Sequence, residues 1–245
     1  YKEIDYIIQK DYLPESIPFK GRSFPYILNI TTGCPWNKLI RKSLIDEYQL
    51  QFMPLHRSND VYFIFMALAL AEKITVVQEV FVNYRQSGSS LQANNVKSPW
   101  DWYEALKAIR DKLKELDLYD TVETSFKNLA FGVSIYNLCS LKVGGAFCEI
   151  YERLNSEIFA EFELDDFTEE ECYSYNGAKY QIYMQMKECS AVEYLFRQAQ
   201  EMKEWQSRAK KAEKELQKLK SSTTLKAGKA LLYIPKKLKH LNGKK

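Results

Sequence analysis

The chain has 245 residues, of which 46% are hydrophobic and 14% aromatic. This composition excludes a disordered tail and indicates one large folded domain or two small ones. The net charge of +3 conceals an asymmetry, since residues 203–245 carry 14 Lys and Arg against 3 Glu. We therefore expect any attraction to anionic surfaces to come from the C-terminal end.

The chain shows no sign of export or of a membrane span. Its longest apolar run, residues 61–71, is too short for a bilayer-spanning helix, which requires about 20 apolar residues. No basic segment followed by an apolar one marks a secretory signal. The five cysteines lack the spacing of a disulfide framework or a zinc site. We therefore expect reduced thiols and a cytoplasmic location.

The first part of the chain predicts loops, two helices and a strand region. Proline and glycine interrupt residues 1–33 too often for long helices. Apolar residues at helical spacing predict an amphipathic helix over 37–48. A run that is apolar on all sides predicts a buried helix over 59–73, with Ser58 as its N-cap. The Val- and Phe-rich residues 74–84 predict one or two strands.

The second part of the chain predicts helices throughout. Apolar stripes indicate helices over 99–116, 121–141 and 146–154. Residues 165–189 are polar and tyrosine-rich, and their pattern favours no single structure.

Residues 191–220 contain neither glycine nor proline and carry a short heptad pattern. Two apolar series repeat every seven residues: Leu195, Met202, Ala209 and Leu216, and Trp205, Ala212 and Leu219. The pattern predicts a projecting helix that pairs with a partner or with a copy of itself. A helix that folds back on its own bundle is the alternative.

Three short motifs follow one another in the first hundred residues: CPWNKL at 34–39, SNDVYF at 58–63 and NYR at 83–85. Together they resemble the second half of the catalytic domain of a bacterial family 2 glycosyltransferase of the GT-A type. The resemblance extends over residues 26–145. Because the chain opens at Tyr1 and not at Met, we interpret it as a piece that starts after the nucleotide-sugar half.

This resemblance implies an α/β fold, a partial GT-A domain, followed by a predominantly helical extension and a short coiled coil. The expected segments are the acceptor-side part of the catalytic domain (1–95), the helical extension (96–190), the coiled-coil helix (191–220) and a basic amphipathic tail (221–245).

The resemblance also implies a function. The whole protein would transfer a sugar from a nucleotide-diphosphate donor to a hydroxyl acceptor with inversion, in cell-surface glycan synthesis, and this piece alone would be inactive. Family members hold Mg²⁺ or Mn²⁺ through an Asp-x-Asp motif. This chain contains no Asp-x-Asp, so the metal is expected to bind outside it. The competing class is a non-catalytic helical interaction module.

Asp60 is the candidate catalytic residue. An inverting transfer needs a base that takes the proton from the acceptor hydroxyl, and such a base contributes roughly 10²–10⁴-fold in rate. The family carries an acidic pair at this point, which here reads Asn59-Asp60, so the resemblance implies that Asp60 is the base. An acid in the first turn of a helix also stabilises the helix dipole, and spacing alone favours that interpretation.

The candidate substrate-binding residues are Trp36, Asn37, Lys38, His56, Arg57, Asn59, Tyr84 and Arg85. An indole face can stack on a sugar and an amide can bind hydroxyls, although Trp36 as a core anchor and Asn37 as a helix cap are alternatives. The family's Tyr-Arg loop implies that Arg85 binds the leaving diphosphate; a solvated strand end is the alternative. His56 and Arg57 form an acceptor-side loop or are structural.

Residues 221–245 hold seven lysines and no acid, interspersed with leucines. Such a segment suits the anionic inner face of a membrane, where each nearby lysine contributes about 1 kcal/mol. A disordered solubilising end is the alternative. Nucleic acid is not an expected partner, because only Tyr233 could stack on a base.

Overall fold

A computed structural model describes residues 10–83, except 78 and 80, and residues 95–225. Its main helices are α1 (Lys42–Glu47), α2 (Val61–Leu70), α3 (Asp101–Glu115), α4 (Tyr119–Cys139), α5 (Gly144–Arg153), α6 (Phe159–Glu161), α7 (Gly177–Glu188) and α8 (Ala191–Ser221). A π-helical turn, Leu154–Ile158, joins α5 to α6. The chain divides into two compact units, Tyr1–Ala191 and Val192–Lys245.

The prediction of an α/β fold is wrong for the part of the chain that the structure describes, which is helical and contains no sheet. The only strand-like pairing there is an isolated antiparallel bridge, in which Phe19 N donates to Ile74 O and Ile74 N donates to Phe19 O. Val77 and Phe81 have high β-propensity, but their side chains are exposed. A strand needs cross-strand neighbours to be stable, and β-propensity alone does not supply them.

The helices predicted from apolar stripes are confirmed, with shifted ends. In α3 the predicted stripe is buried, from Trp102 to Leu113. The long helix α4 is the centre of the first unit, where it packs against α3, α5 and α7. The helix predicted over 37–48 is shorter than expected, because only Lys42–Glu47 is helical.

Polar side chains on α4 attach irregular segments to the core. The Asn128 side chain donates to Glu171 O at 2.8 Å and accepts from Tyr173 N at 2.7 Å. The Ser125 hydroxyl accepts from Leu28 N at 3.0 Å, and Ile27 and Leu28 are buried beside it. These bonds fix residues 171–173 and 27–30, and the latter lead directly into the candidate site.

Within the described residues, none of the helices is both long and apolar enough to cross a membrane. Along α8, by contrast with the buried helices of the first unit, the large apolar side chains of Met202, Trp205, Leu216 and Leu219 are exposed. The heptad helix predicted over 191–220 is therefore present as one continuous helix with an exposed apolar stripe.

Candidate functional site

The first turn of α2 positions Asp60. Ser58 has a left-handed backbone with φ of 54°, so the helix begins only after it, and Asp60 is the N-cap in place of the predicted Ser58. The chain before α2 is held by a bond from Met53 N to Asn59 O at 2.9 Å. The Asp60 side chain makes no capping hydrogen bond, so it does not have the capping role for which Asp usually occupies this position.

The loop of residues 32–38 lies against this end of α2. A Cβ atom on Gly33 would stand 3.2 Å from a ring carbon of Phe65 and 3.4 Å from a methyl of Val61. Both of those residues belong to α2. The missing side chain at position 33 therefore allows the loop to approach the helix closely.

Lys38 closes this loop on itself. Its ammonium group donates to Thr32 O, Cys34 O and Asn37 Oδ1, each at 2.8 Å. These three bonds use the full donor capacity of a lysine. The primary role of Lys38 is thus to fix the shape of residues 32–38, which places its positive charge at a defined point.

That charge acts on Asp60. Partial burial raises the pKa of the Asp60 carboxyl above its usual 3.8, while the Asp60 and Val61 backbone N–H groups and the Lys38 charge pull the pKa in the opposite direction. Burial lowers the pKa of Lys38, and the neighbouring Cys34 and Asp60 raise it. Lys38 is therefore near enough to Asp60 to influence its charge, and the carboxylate is held in a partly desolvated position.

The other residues of the loop surround this pair. Trp36 remains 39% exposed, so it is not a core anchor. Asn37 uses its Oδ1 to accept from Lys38, and it does not cap a helix, since α1 begins at Lys42. The Cys34 thiol lies 2.9 Å from the Thr32 hydroxyl. Sequence reasoning missed Thr32, Gly33 and Cys34; a glycine just before the Pro-Trp motif was the available signal for a close backbone approach.

The predicted acceptor-side residues separate into two groups. His56 and Asn59 are exposed. Arg57 is only 5% exposed; its backbone N–H donates to Asp101 Oδ2 at 2.7 Å. Burial lowers the pKa of the Arg57 guanidinium, and Asp101 and Tyr136 raise it. The structure thus places Arg57 between the loop, α3 and α4, as a structural residue would be.

A shallow groove of about 380 Å³ lies between α2 and α3. It is lined by Met53, Tyr62, Ala108, Asp111, Lys112 and Glu115. Asp60 is not among these residues, although its neighbours in the fold, Met53 and Tyr62, are. The sequence did not single out this groove, because α3 supplies most of it and the α2–α3 packing joins residues about 50 positions apart.

Two predictions lie outside the described residues. Tyr84 and Arg85 are not described, and neither is the tail beyond Leu225.

The described residues also offer no group of three His, Cys, Asp or Glu side chains that could hold a metal ion. The divalent cation implied by the resemblance therefore has no fitting donor set in this part of the chain.

The described residues form a helical fold in which a lysine of the 32–38 loop acts electrostatically on a carboxylate at the start of α2. In comparisons with protein-family models, with curated proteins and with solved structures, the chain matched none of them.

Proposed function

We propose that this chain carries the acceptor side of an inverting glycosyltransferase, in which Asp60 takes the proton from a sugar hydroxyl. The observation that supports the proposal is the electrostatic coupling of Asp60 with Lys38, two residues that come from separate motifs of the sequence. Motif residues that only stabilised their own segments would not need to act on each other.

The state of the Asp60 carboxyl supports a chemical role over a capping role. A stabilising N-cap accepts a hydrogen bond from the backbone N–H two or three residues further on, and the Asp60 side chain makes no such capping bond; only the N–H groups of Asp60 and Val61 act on its carboxyl. Burial raises its pKa, so ionisation at neutral pH costs folding free energy. A carboxylate that is kept partly buried despite this loss of folding free energy has a pKa closer to the working pH. It is therefore a better general base than a solvated carboxylate.

The neighbouring groups suit a sugar acceptor. The partly exposed indole of Trp36 offers a face for stacking on the C–H surface of a sugar ring. The amide nitrogen of Asn37 makes no hydrogen bond within the described residues, so it can donate to a hydroxyl. In the proposed reaction the acceptor oxygen loses its proton to Asp60 as it attacks the anomeric carbon, and the nucleotide diphosphate departs from the opposite face.

The proposal includes the partners and the setting. The donor is a nucleotide-diphosphate sugar and the acceptor a hydroxyl group of a cell-surface glycan. The protein works in the cytoplasm, peripherally at the inner face of the membrane, with the lysines of 221–245 as the contact. The Mg²⁺ or Mn²⁺ implied by the resemblance would bind outside this chain and neutralise charge on the departing diphosphate.

Transfer by the protein expressed from its complete gene tests this function. A panel of nucleotide-diphosphate sugars and glycan acceptors is assayed with wild type, Asp60→Asn and Asp120→Asn. The control carboxylate lies in the first turn of α4 and is exposed. We expect transfer to fall about 10²–10⁴-fold in Asp60→Asn and to persist in the control. Unchanged transfer in Asp60→Asn would refute the base, and transfer from no donor would refute the activity.

The second candidate is a non-catalytic interaction module, and the exposed apolar stripe of α8 favours it. It predicts that no donor supports transfer and that Asp60→Asn lowers only the free energy of unfolding, as the loss of a cap would. The transfer assay separates the two candidates.

A further inference from the structure

The apolar stripe of α8 is the largest feature that the proposed reaction does not use. In heptad notation the a positions are Leu195, Met202, Ala209 and Leu216, and the d positions are Gln198, Trp205, Ala212 and Leu219. The stripe spans 25 residues, which corresponds to roughly 37 Å of helix. Met202, Trp205 and Leu219 are each more than half exposed, an arrangement that a lone helix in water does not favour.

We propose that α8 pairs with α8 of a second copy of this chain, in a parallel, in-register, two-stranded coiled coil. This inference is independent of the proposed transferase function. It goes beyond the heptad pattern because the charges beside the stripe select both the partner and its direction.

In a parallel coiled coil each g residue meets the e residue five positions further along the partner helix. The g residues Arg208 and Glu215 would then face Glu213 and Lys220 of the other copy. Both pairs join opposite charges, and the two-fold symmetry makes each of them twice. The remaining pair of this kind joins Glu201 to the uncharged Gln206. None of these g–e pairs therefore brings like charges together.

An antiparallel pairing of the same stripe is disfavoured by charge. In that direction g residues face g residues. With the a and d layers fully overlapped, Arg208 would meet Arg208 of the other copy, and Glu201 would meet Glu215 twice. Like charges at such positions destabilise the pairing. The charges beside the stripe therefore stabilise the parallel pairing of two α8 helices and destabilise the antiparallel pairing.

The side-chain arrangement in the single helix is compatible with this pairing. The Arg208 guanidinium lies over the Trp205 ring at 5.5 Å, at the edge of the stripe. Its ion pair with Glu204, at 3.8 Å between highly exposed side chains, is of the surface kind that contributes little and exchanges readily. The two small layers at Ala209 and Ala212 lie between the bulky Trp205 layer and the Leu216 layer of the seam.

A parallel pair has a consequence for the lysine-rich residues 221–245. Both copies of this segment start from the same end of the coiled coil, because the two Ser221 residues lie side by side. Two segments with seven lysines each would then bind an anionic surface together. Linked binding of this kind strengthens attachment without any new contact.

Sedimentation equilibrium of the full chain tests the pairing. We expect a dimer at micromolar concentration, a monomer for Leu216→Glu, and a dimer for the matched control Gln217→Glu, whose side chain at a b position lies outside the seam. Circular dichroism checks that both variants keep their helices. A monomeric wild type at about 100 µM, or a Leu216→Glu variant that still dimerises, would overturn the proposal.

Charge reversal tests the direction. In the parallel pair Arg208→Glu places two glutamates opposite each other twice, so the dissociation constant should rise about tenfold. Adding Glu213→Arg to that variant should restore the wild-type value. In the antiparallel pair position 213 does not face position 208. Failure of the double variant to recover dimerisation would therefore overturn the parallel assignment.

Discussion

Lys38 in the 32–38 loop and Asp60 at the start of α2 each shift the pKa of the other toward its charged form. Burial shifts both pKa values the opposite way and is the largest influence on each. The pair is thus held where charge is costly, which is the usual condition of functional ionisable groups.

Replacing Asp60 should not destabilise the fold at neutral pH. Because the pKa of Asp60 is raised in the folded state, its contribution to stability is fully present below the usual 3.8 and is lost as the pH rises through the raised pKa. Asp60→Asn does not ionise and escapes that loss. We expect urea unfolding to show that its free energy of unfolding, relative to wild type, increases with pH over this window.

The control for that experiment is Asp120→Asn, which removes an exposed acid from the first turn of α4. It should lose about 0.3–1 kcal/mol at pH 7 through the helix dipole. If Asp60→Asn lost as much as this control, the cap interpretation of Asp60 would be correct.

The close approach at Gly33 should be sensitive to a single methyl group. Gly33→Ala forces its Cβ against Phe65 and Val61, so we expect a loss of about 1–3 kcal/mol in the free energy of unfolding. At Gly144 a Cβ meets nothing within 4 Å, and Gly144→Ala at the start of α5 should be neutral or stabilising by up to about 1 kcal/mol. Equal effects at the two positions would mean that the loop does not pack on α2.

Two buried serines on α4 make a second matched pair. Ser125→Ala removes the acceptor of Leu28 N and should cost about 1–3 kcal/mol, since a buried N–H loses its partner. The Ser134 hydroxyl has no hydrogen-bond partner among the described residues, so Ser134→Ala should change stability by less than about 0.5 kcal/mol. Thermal unfolding compares them, and the reverse order would show that residues 27–30 do not dock on α4 as described.

Arg57 should contribute to the stability of the fold, and not only to a contact with substrate. Arg57→Met leaves Asp101 without its neighbouring cation in a buried setting, for an expected loss of about 1–3 kcal/mol. His56→Ala, at the exposed neighbouring position, should stay within about 0.5 kcal/mol of wild type. An Arg57→Met variant of unchanged stability that binds acceptor weakly would instead support the original prediction of a substrate contact.

The sequence predicted those parts of the fold that depend on local periodicity. The stripe of α3 and the all-apolar run of α2 identify helices without knowledge of their neighbours, because helical hydrogen bonds are local. The strand prediction at 74–84 was wrong for the described residues because strand pairing depends on a distant partner, and here only Phe19 pairs with Ile74.

The candidate site shows the same division. The resemblance, and not spacing alone, singled out Lys38 and Asp60 as site residues, and in the structure each acts on the pKa of the other. The burial of Arg57 could not be predicted, because Asp101, 44 residues further along, supplies its partner. The position of the N-cap was predicted wrongly because serine is a common N-cap residue. The positive φ of Ser58 delays the start of the helix by two residues, and the residue type does not reveal that angle.

The most direct test of the Lys38–Asp60 relationship is a carbon-13 titration of the Asp60 carboxyl in wild type, Lys38→Met and Lys38→Arg, with Asp60→Asn assigning the signal. Arginine keeps the positive charge, and methionine removes it. We predict a midpoint above 3.8 in wild type, a similar midpoint in Lys38→Arg and a higher midpoint in Lys38→Met. A wild-type midpoint at or below 3.8, or the same midpoint in a folded Lys38→Met variant, would contradict the account.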